Sequence, residues 1–156
     1  MKIRKATIND REQLRLLEQR VVDAERPFNS SIKSGSPIYY DLDDLLVNDN
    51  AYLLVIEVEN RIIATGYSQI RPSKHSLSHN THAYLGFMYV CPKFRGKGLN
   101  KALTDKLICW SRNKGINAVY LDVYSDNRSA IRAYEKLGFE PSLLEMKPKS
   151  LEIFIP

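Results

Sequence analysis

The segment Arg95-Gly96-Lys97-Gly98-Leu99-Asn100 has the residue types and spacing of an anion-binding turn. It follows a β-rich run and opens a helical pattern, whose apolar positions are Leu99, Leu103, Leu107 and Trp110. A glycine-rich turn at a helix N-terminus presents backbone N–H groups that have no partner inside the helix, and the helix dipole favours negative charge there. The sequence therefore predicts a phosphate site at this turn.

Two common phosphate-binding motifs do not fit this turn. The Walker motif requires Ser or Thr after Gly-Lys, whereas Gly98 follows Gly96-Lys97. The dinucleotide motif requires a third glycine at the position that Lys101 occupies. A nucleotide site of either type is not favoured.

The chain is basic, and part of its positive charge is concentrated around the glycine turn. The formal net charge is +5 and the isoelectric point is near 9.2. The basic residues near the turn are Lys93, Arg95, Lys97, Lys101, Lys106, Arg112 and Lys114. This clustering favours a local phosphate site over a diffuse nucleic-acid surface, with a solvated basic helix as the alternative.

Two further segments carry a resemblance to a known family. Met88-Tyr89-Val90-Cys91-Pro92 precedes the turn, and Asn127-Arg128-Ser129-Ala130-Ile131-Arg132-Ala133-Tyr134-Glu135-Lys136-Leu137-Gly138-Phe139 follows it. Together with the turn, they resemble the GNAT (GCN5-related N-acetyltransferase) superfamily. Asn100 stands where that family usually has Gly or Ala. The resemblance is specific from about Met88 to Phe139 and follows the order of elements over the rest of the chain.

The resemblance implies a fold, an activity and a cosubstrate. The fold is α/β, with a mixed, mostly antiparallel central sheet and helices on both faces, in a single N-acetyltransferase domain over residues 1–156. The activity is direct transfer of an acetyl group from acetyl-CoA to a primary amine of a small molecule or peptide. The cosubstrate would contact the pantetheine-lining residues Met88, Tyr89 and Val90, the turn residues Arg95, Gly96, Lys97, Gly98, Leu99, Asn100 and Lys101, and also Asn127 and Tyr134.

The transfer requires an amine without its extra proton and a proton donor for the leaving thiolate. The resemblance places the Tyr134 hydroxyl at the cofactor sulfur, which makes Tyr134 the candidate acid. Strand alternation puts Asp122 on one face with Tyr120 and Tyr124. Some members of the family that the chain resembles have a Glu at this position as proton acceptor, which makes Asp122 the candidate base, acting directly or through a water. The structural alternatives are a packing tyrosine on a helix and a carboxylate paired for stability.

Other reactive side chains are weaker candidates. Cys91 and Cys109 have no spacing typical of a metal site or a disulfide framework, and Cys91 has no evident His partner for acyl transfer. His75, His79 and His82 suggest a metal site by their spacing, but the residues between them do not favour a helix. We therefore expect no metal.

The elements that position these residues alternate between β-rich and helical patterns. We expect a first helix capped by Asn9 with Glu12, and a tight turn at Glu59 and Asn60. The predicted strands cover residues 3–6, 51–58, 61–70, 83–90, 119–124, 142–146 and 151–155, the last two forming a hairpin. The predicted helices begin after Asn9, near Asp41, at Leu99 and after the capping residues Ser125-Asp126-Asn127.

The acceptor, partners and compartment follow less directly from the sequence. Residues 22–40 and 71–82 are the expected acceptor loops, and four acidic side chains could attract a cationic amine there: Glu25, Asp41, Asp43 and Asp44. No apolar run reaches the roughly 18 residues that cross a bilayer, so a cytoplasmic protein without membrane contact is expected. A homodimer through the C-terminal strand is also expected. The alternatives are a non-catalytic acyl-CoA sensor and an RNA-binding module, the latter disfavoured because no basic aromatic motif is concentrated on adjacent strands.

Overall fold

The computed structural model describes residues 1–156 and contains two compact units, Met1–Asp122 and Val123–Pro156. The first unit holds a five-stranded sheet in the order β1-β2-β3-β4-β5. All neighbouring strands are antiparallel except β4 and β5, which are parallel. The strands are β1 (Lys2–Lys5), β2 (Ala51–Val58), β3 (Arg61–Pro72), β4 (Thr81–Val90) and β5 (Val119–Tyr120).

Three helices pack on the two faces of this sheet: α1 (Arg11–Glu25), α2 (Leu42–Val47) and α3 (Leu99–Asn113). Ser68 of β3 points to α3, where its hydroxyl lies 2.8 Å from that of Ser111. Tyr67 therefore points to the opposite face, and its ring contacts Tyr40, in the loop between α1 and α2. Because both faces are covered, β2 is buried along most of its length, as in the run Leu53–Ile56. The predicted mixed sheet with helices on both faces is confirmed.

Non-glycine residues with positive φ occur at two places in the sheet, a turn and a bulge. Glu59 and Asn60 have φ values of 48° and 62°, which gives the tight β2–β3 turn that the sequence predicts. Phe87 in β4 also has a positive φ, 52°, at a shift in register between β3 and β4. The Thr65 hydroxyl donates to the Phe87 carbonyl at 2.6 Å and holds this bulge in place.

The fifth strand is shorter than predicted. The sequence predicts a strand over residues 119–124, but β5 consists of Val119 and Tyr120 alone, paired with Ala83 and Tyr84. The bulge at Phe87 bends β4, so that the parallel ladder cannot continue. From Leu85 onward β4 therefore has no strand partner on its outer edge.

The second unit contains one α-helix, α4 (Arg128–Lys136), capped by Asn127 as predicted. The expected C-terminal hairpin is wrong. Residues 142–146 form no strand, and Leu151–Phe154 is a 3-10 helix that begins where the Ser150 hydroxyl accepts from the Glu152 amide at 3.2 Å. The second unit contains no strand to which either run could bond, and strand propensity alone does not stabilise a strand without a partner.

The start of α1 also differs in detail from its prediction. A 3-10 turn, Ile8–Asp10, precedes the helix, and the capping box uses Thr7 and Asp10 in place of Asn9 and Glu12. Asp10 forms the capping box because its carboxylate is held at this position by Arg4 of β1, at 2.7 Å. Glu12 is exposed and has no such contact. None of the helices combines the length and apolar character that crossing a membrane requires.

Candidate active site

The glycine turn presents backbone donors at the N-terminus of α3. Gly98 is the N-cap, and the first hydrogen bond of the helix runs from the Ala102 amide to the Gly98 carbonyl at 3.0 Å. The amides of Leu99, Asn100 and Lys101 lie ahead of that bond, and no side chain caps them. This arrangement suits an anion, as the sequence predicts.

The two glycines of the turn are needed for their backbone conformation. Gly96 and Gly98 have φ values of 73° and 75°, a region that other residues adopt only at a cost. A Cβ atom at either position would meet no atom within 4 Å, so crowding is not the reason for glycine. The turn therefore requires glycine for its positive φ values, and there is open space beside its amides.

The basic side chains around the turn have different roles. The Arg95 Nε donates to the Val90 carbonyl at 2.9 Å and its guanidinium lies over the Tyr89 ring, so Arg95 fastens the turn to the end of β4. Lys101 pairs with Asp105 at 2.5 Å. Lys97 is exposed, 5.4 Å from the Phe94 ring centroid. Lys97 and Lys101 are both on the surface and can approach a bound phosphate.

The open edge of β4 lies directly before this turn. Of the three residues predicted to line the pantetheine, Met88 packs its side chain against Gly66, on the α3 face of the sheet, and Tyr89 is buried. These side chains are occupied by packing, and the Val90 carbonyl accepts from Arg95. The edge therefore offers chiefly those backbone N–H and C=O groups of residues 88–90 that point away from β3. An extended ligand that carries amides can bind such an edge as an added strand would.

Asp122, the predicted base, accepts a hydrogen bond from a residue that the sequence did not single out. The Tyr84 hydroxyl donates to the Asp122 carboxylate at 3.0 Å. Burial, and then the negative charge of Asp122, raises the pKa of Tyr84, so the phenol stays protonated as the donor. The Arg71 guanidinium covers the Tyr84 ring at 3.9 Å. Asp122 itself is exposed and can exchange protons with a ligand or water.

A row of aromatic rings continues from Tyr84 across the α1 side of the sheet. Tyr67 lies 6.4 Å from Tyr84, Tyr40 lies 5.9 Å from Tyr67, and Tyr40 stacks on Phe87 at 4.5 Å. A Cβ on Gly86 would come within 2.3 Å of the Tyr67 phenol, so the row requires glycine there. We define these four rings, of Tyr40, Tyr67, Tyr84 and Phe87, as the aromatic row.

Glu18 holds the aromatic row in place, and sequence reasoning missed it. Its side chain is fully buried on α1 and accepts from the Tyr39 and Tyr40 amides at 2.7 and 2.9 Å. Arg15 pairs with Glu18 at 2.7 Å and donates to the Tyr40 carbonyl at 3.1 Å. A glutamate among the apolar positions Leu14, Leu17 and Val21 was the available signal, since a buried acid requires specific partners.

The remaining predicted residues lie in the second unit. The Asn127 side chain accepts from the Ala130 amide at 3.3 Å and so caps α4. The Tyr134 ring packs edge-on against Phe139 at 5.8 Å. Their predicted contacts with a cofactor stay predictions.

Two of the three histidines, His79 and His82, form a hydrogen-bonded cluster at the other end of β4. The Ser73 hydroxyl lies 2.7 Å from His79 Nδ1 and 2.9 Å from His82 Nδ1, and His79 Nε2 lies 3.0 Å from the Tyr120 hydroxyl. Partial burial, and then the charges of His79 and Arg71, lowers the pKa of His82. No group of three or more His, Cys, Asp or Glu side chains is placed to hold a metal ion. The cluster joins the loop of residues 73–80 to β5.

Comparison with known proteins identifies a matching family and a relative of similar sequence. The profile of the acetyltransferase (GNAT) family matches residues 18–139. A mycothiol acetyltransferase from Arthrobacter sp. (strain FB24) is 34% identical over 91 residues, which make up 56% of this chain and 27% of that protein. The chain thus spans about a quarter of the length of this relative.

Two solved structures have a similar fold. The tetramutant of the BH1408 protein from Bacillus halodurans superposes with a TM-score of 0.85 at 23% identity, covering 96% of this chain and all of that one. A predicted acetyltransferase from Clostridium acetobutylicum, solved with acetyl-CoA, has a TM-score of 0.73 at 22% identity and covers 97% of both chains.

Proposed function

This chain belongs to the acetyltransferase (GNAT) family, and from that premise we propose that it transfers an acetyl group from acetyl-CoA to a primary amine. The observation that carries the proposal is the uncapped glycine turn of α3 directly after the open edge of β4. The turn amides suit the pyrophosphate of CoA, and the strand edge suits the two amides of pantetheine. The acceptor is proposed to be a small molecule or peptide.

In the proposed reaction the thioester supplies the acetyl group and the residues of the chain handle the protons. Asp122 accepts the proton that the attacking amine loses, directly or through a water. Tyr134 donates a proton to the thiolate as the C–S bond breaks, and the products are an amide and free CoA. No covalent enzyme intermediate is required, so buried Cys91 has no part in the transfer.

Ligand-dependent stability tests the cosubstrate assignment. A ligand that binds only the folded chain raises its melting temperature by mass action. We expect CoA to raise the melting temperature in a concentration-dependent way and NAD and ATP to raise it less. A larger shift with NAD than with CoA would overturn the assignment.

Turnover separates the enzyme from the alternative, a non-catalytic acyl-CoA sensor. A panel of primary amines is incubated with acetyl-CoA, and release of free thiol is followed with time. The proposal expects amine-dependent thiol release. CoA binding without release on any amine would favour the sensor.

A further inference from the structure

The four acidic side chains near the acceptor loops have different partners. Asp41 caps α2 by accepting from the Asp44 amide at 3.1 Å, and Asp43 pairs with Arg11 at 2.9 Å. Asp44 accepts from the side chain of Asn48 at 3.0 Å. These three carboxylates therefore have structural roles at α2, whereas Glu25 takes part in none of the ion pairs of the structure.

Glu25 lies at the C-terminal end of α1, half-buried beside the tyrosines of the following loop. The Tyr39 side chain acts on its carboxylate, and the negative charge of Glu25 also acts on Tyr40. Burial raises the pKa of Glu25, and the Tyr39 hydroxyl opposes this rise. A half-buried carboxylate without a cationic partner is costly unless a ligand supplies the cation.

The aromatic row connects Glu25 to Asp122. Tyr39 meets Tyr40 edge-on at 5.8 Å, and the row then runs through Tyr67 to Tyr84, whose hydroxyl binds Asp122. Burial, as the main cause, raises the pKa values of the Tyr40, Tyr67 and Tyr84 hydroxyls, so these rings are neutral. The row is thus a series of uncharged aromatic rings with a carboxylate at each end. Tyr67 and Phe87 are buried, so the rings that a ligand can reach are the half-buried Tyr40 and Tyr84.

Arg71 indicates that the rings of the aromatic row can bind a cation, and it occupies the Tyr84 end of the row. Its guanidinium lies over Tyr84 at 3.9 Å, held by Gln69 at 2.9 Å, so a cation already occupies an aromatic face near the Asp122 end. That positive charge disfavours a second permanent cation beside it. The Glu25 end has no such arginine and is the better place for the distal cation of a ligand.

We propose that the acceptor is a diamine or polyamine, whose reacting amine lies at the Asp122 end of the aromatic row and whose second ammonium is bound by Glu25. The inference rests on the proposed function for the reacting amine and adds the class of acceptor. The chain as a whole is basic, with a net charge of +5, so selection of a dication depends on this local carboxylate.

Matched pairs of acceptors test the proposal. Alkylamines and the corresponding α,ω-diamines, from propane to octane, are compared by kcat/KM. The wild type should prefer the diamine by about tenfold at its best chain length, a difference of about 1.4 kcal/mol. Glu25→Gln should abolish this preference through KM, whereas Asp43→Asn, an exposed carboxylate of α2, should keep it. Equal wild-type kcat/KM values for the two classes would overturn the inference.

Binding without turnover separates this inference from the proposed function. Calorimetric titration of the wild-type CoA complex with the same diamines should give a Kd about tenfold lower than for the matched monoamines, and Glu25→Gln should remove that difference. If these differences appear but no amine is acetylated, the acetyl-transfer proposal fails, whereas the binding of a second ammonium by Glu25 stands. If monoamines are acetylated but diamines bind no more tightly, Glu25 does not select a second cation.

Discussion

At the scale of single residues, the roles of Asp122 and Glu18 depend on neighbours that are distant in the sequence. Tyr84 is 38 positions from Asp122 and donates directly to its carboxylate. Glu18 accepts from backbone amides 21 and 22 positions away. Residue type alone marks both as acids, but the contacts distinguish an exposed carboxylate open to proton transfer from a buried one that holds a loop.

Asp122→Asn tests the proposed base. The substitution keeps an acceptor for the Tyr84 hydroxyl but removes the basic group, so kcat should fall by about 10² and the rise of rate with pH should move to higher pH. The measurement is the pH profile of kcat on an accepted amine. Tyr84→Phe, which leaves the carboxylate intact, should have a smaller effect. An Asn variant with the wild-type profile would place the base elsewhere.

Tyr134→Phe tests the proposed acid. A hydroxyl that donates to the departing sulfur acts in the transition state, so kcat should fall by about 10² while the Kd for CoA changes little. The ring contact with Phe139 is retained, so the melting temperature should stay near the wild-type value. Wild-type kcat in the Phe variant, with chemistry rate-limiting, would make Tyr134 a packing residue.

At the scale of elements, α3 has a glycine with a positive φ at each end. Gly98 precedes the helix with φ 75°, and Gly115 follows it with φ 80°. A Cβ atom at either position would have open space around it, so an alanine would strain the backbone in the same way at either end. The two positions therefore allow the strain of a glycine substitution to be separated from its effect on a ligand.

Gly98→Ala and Gly115→Ala form this matched pair. Each should lower the free energy of unfolding by about 1 kcal/mol, because alanine is disfavoured at positive φ. Only Gly98→Ala should weaken CoA binding, by about tenfold, since it changes the turn that presents the α3 amides. Denaturant unfolding and calorimetry measure the two effects. Equal CoA affinities in both variants would exclude the turn as the pyrophosphate site.

At the scale of the whole molecule, a partly buried ionic contact joins β1 to the start of α1. Arg4 binds both carboxylate oxygens of Asp10, at 2.7 and 2.9 Å, and also contacts Glu57 of β2. The hydrogen bonds from Arg4, opposed by burial, lower the pKa of Asp10, and the Thr7 amide adds to the lowering. The Asp10 side chain is only 7% exposed, so solvent screens this contact weakly.

Asp10→Asn should lower the free energy of unfolding at neutral pH by about 2 kcal/mol. Because the folded-state pKa of Asp10 is lowered, its contribution is complete above the unfolded value of about 3.9 and is lost as the pH falls through the folded value. Denaturant unfolding at several pH values should show wild type and variant converging in acid. Asp43→Asn, which breaks an exposed pair, should cost at most about 1 kcal/mol. A constant Asp10 difference across pH would contradict the ionic explanation.

The expected homodimer loses its structural basis at this same scale. The sequence predicts pairing through a C-terminal strand, but residues 151–154 are a 3-10 helix. Homodimerisation therefore stays a prediction without an assigned interface, and light scattering would test it.

The sequence by itself determined those features that depend on near neighbours. The glycine turn, the tight turn at Glu59 and Asn60, the Asn127 cap and the main strands and helices all follow from φ preferences, capping chemistry and apolar periodicity within a few residues. The family signature between Met88 and Phe139 is likewise continuous in sequence, so it is legible without a structure.

Only the tertiary structure decided which distant residues meet and where strands end. The bulge at Phe87 depends on the register of β3 against β4, and it ends β5 after Tyr120. The aromatic row and the Tyr84–Asp122 contact bring together residues from separate strands and a loop. The predicted C-terminal strands did not form because a strand is stabilised by its partner, and no local pattern encodes whether a partner is within reach.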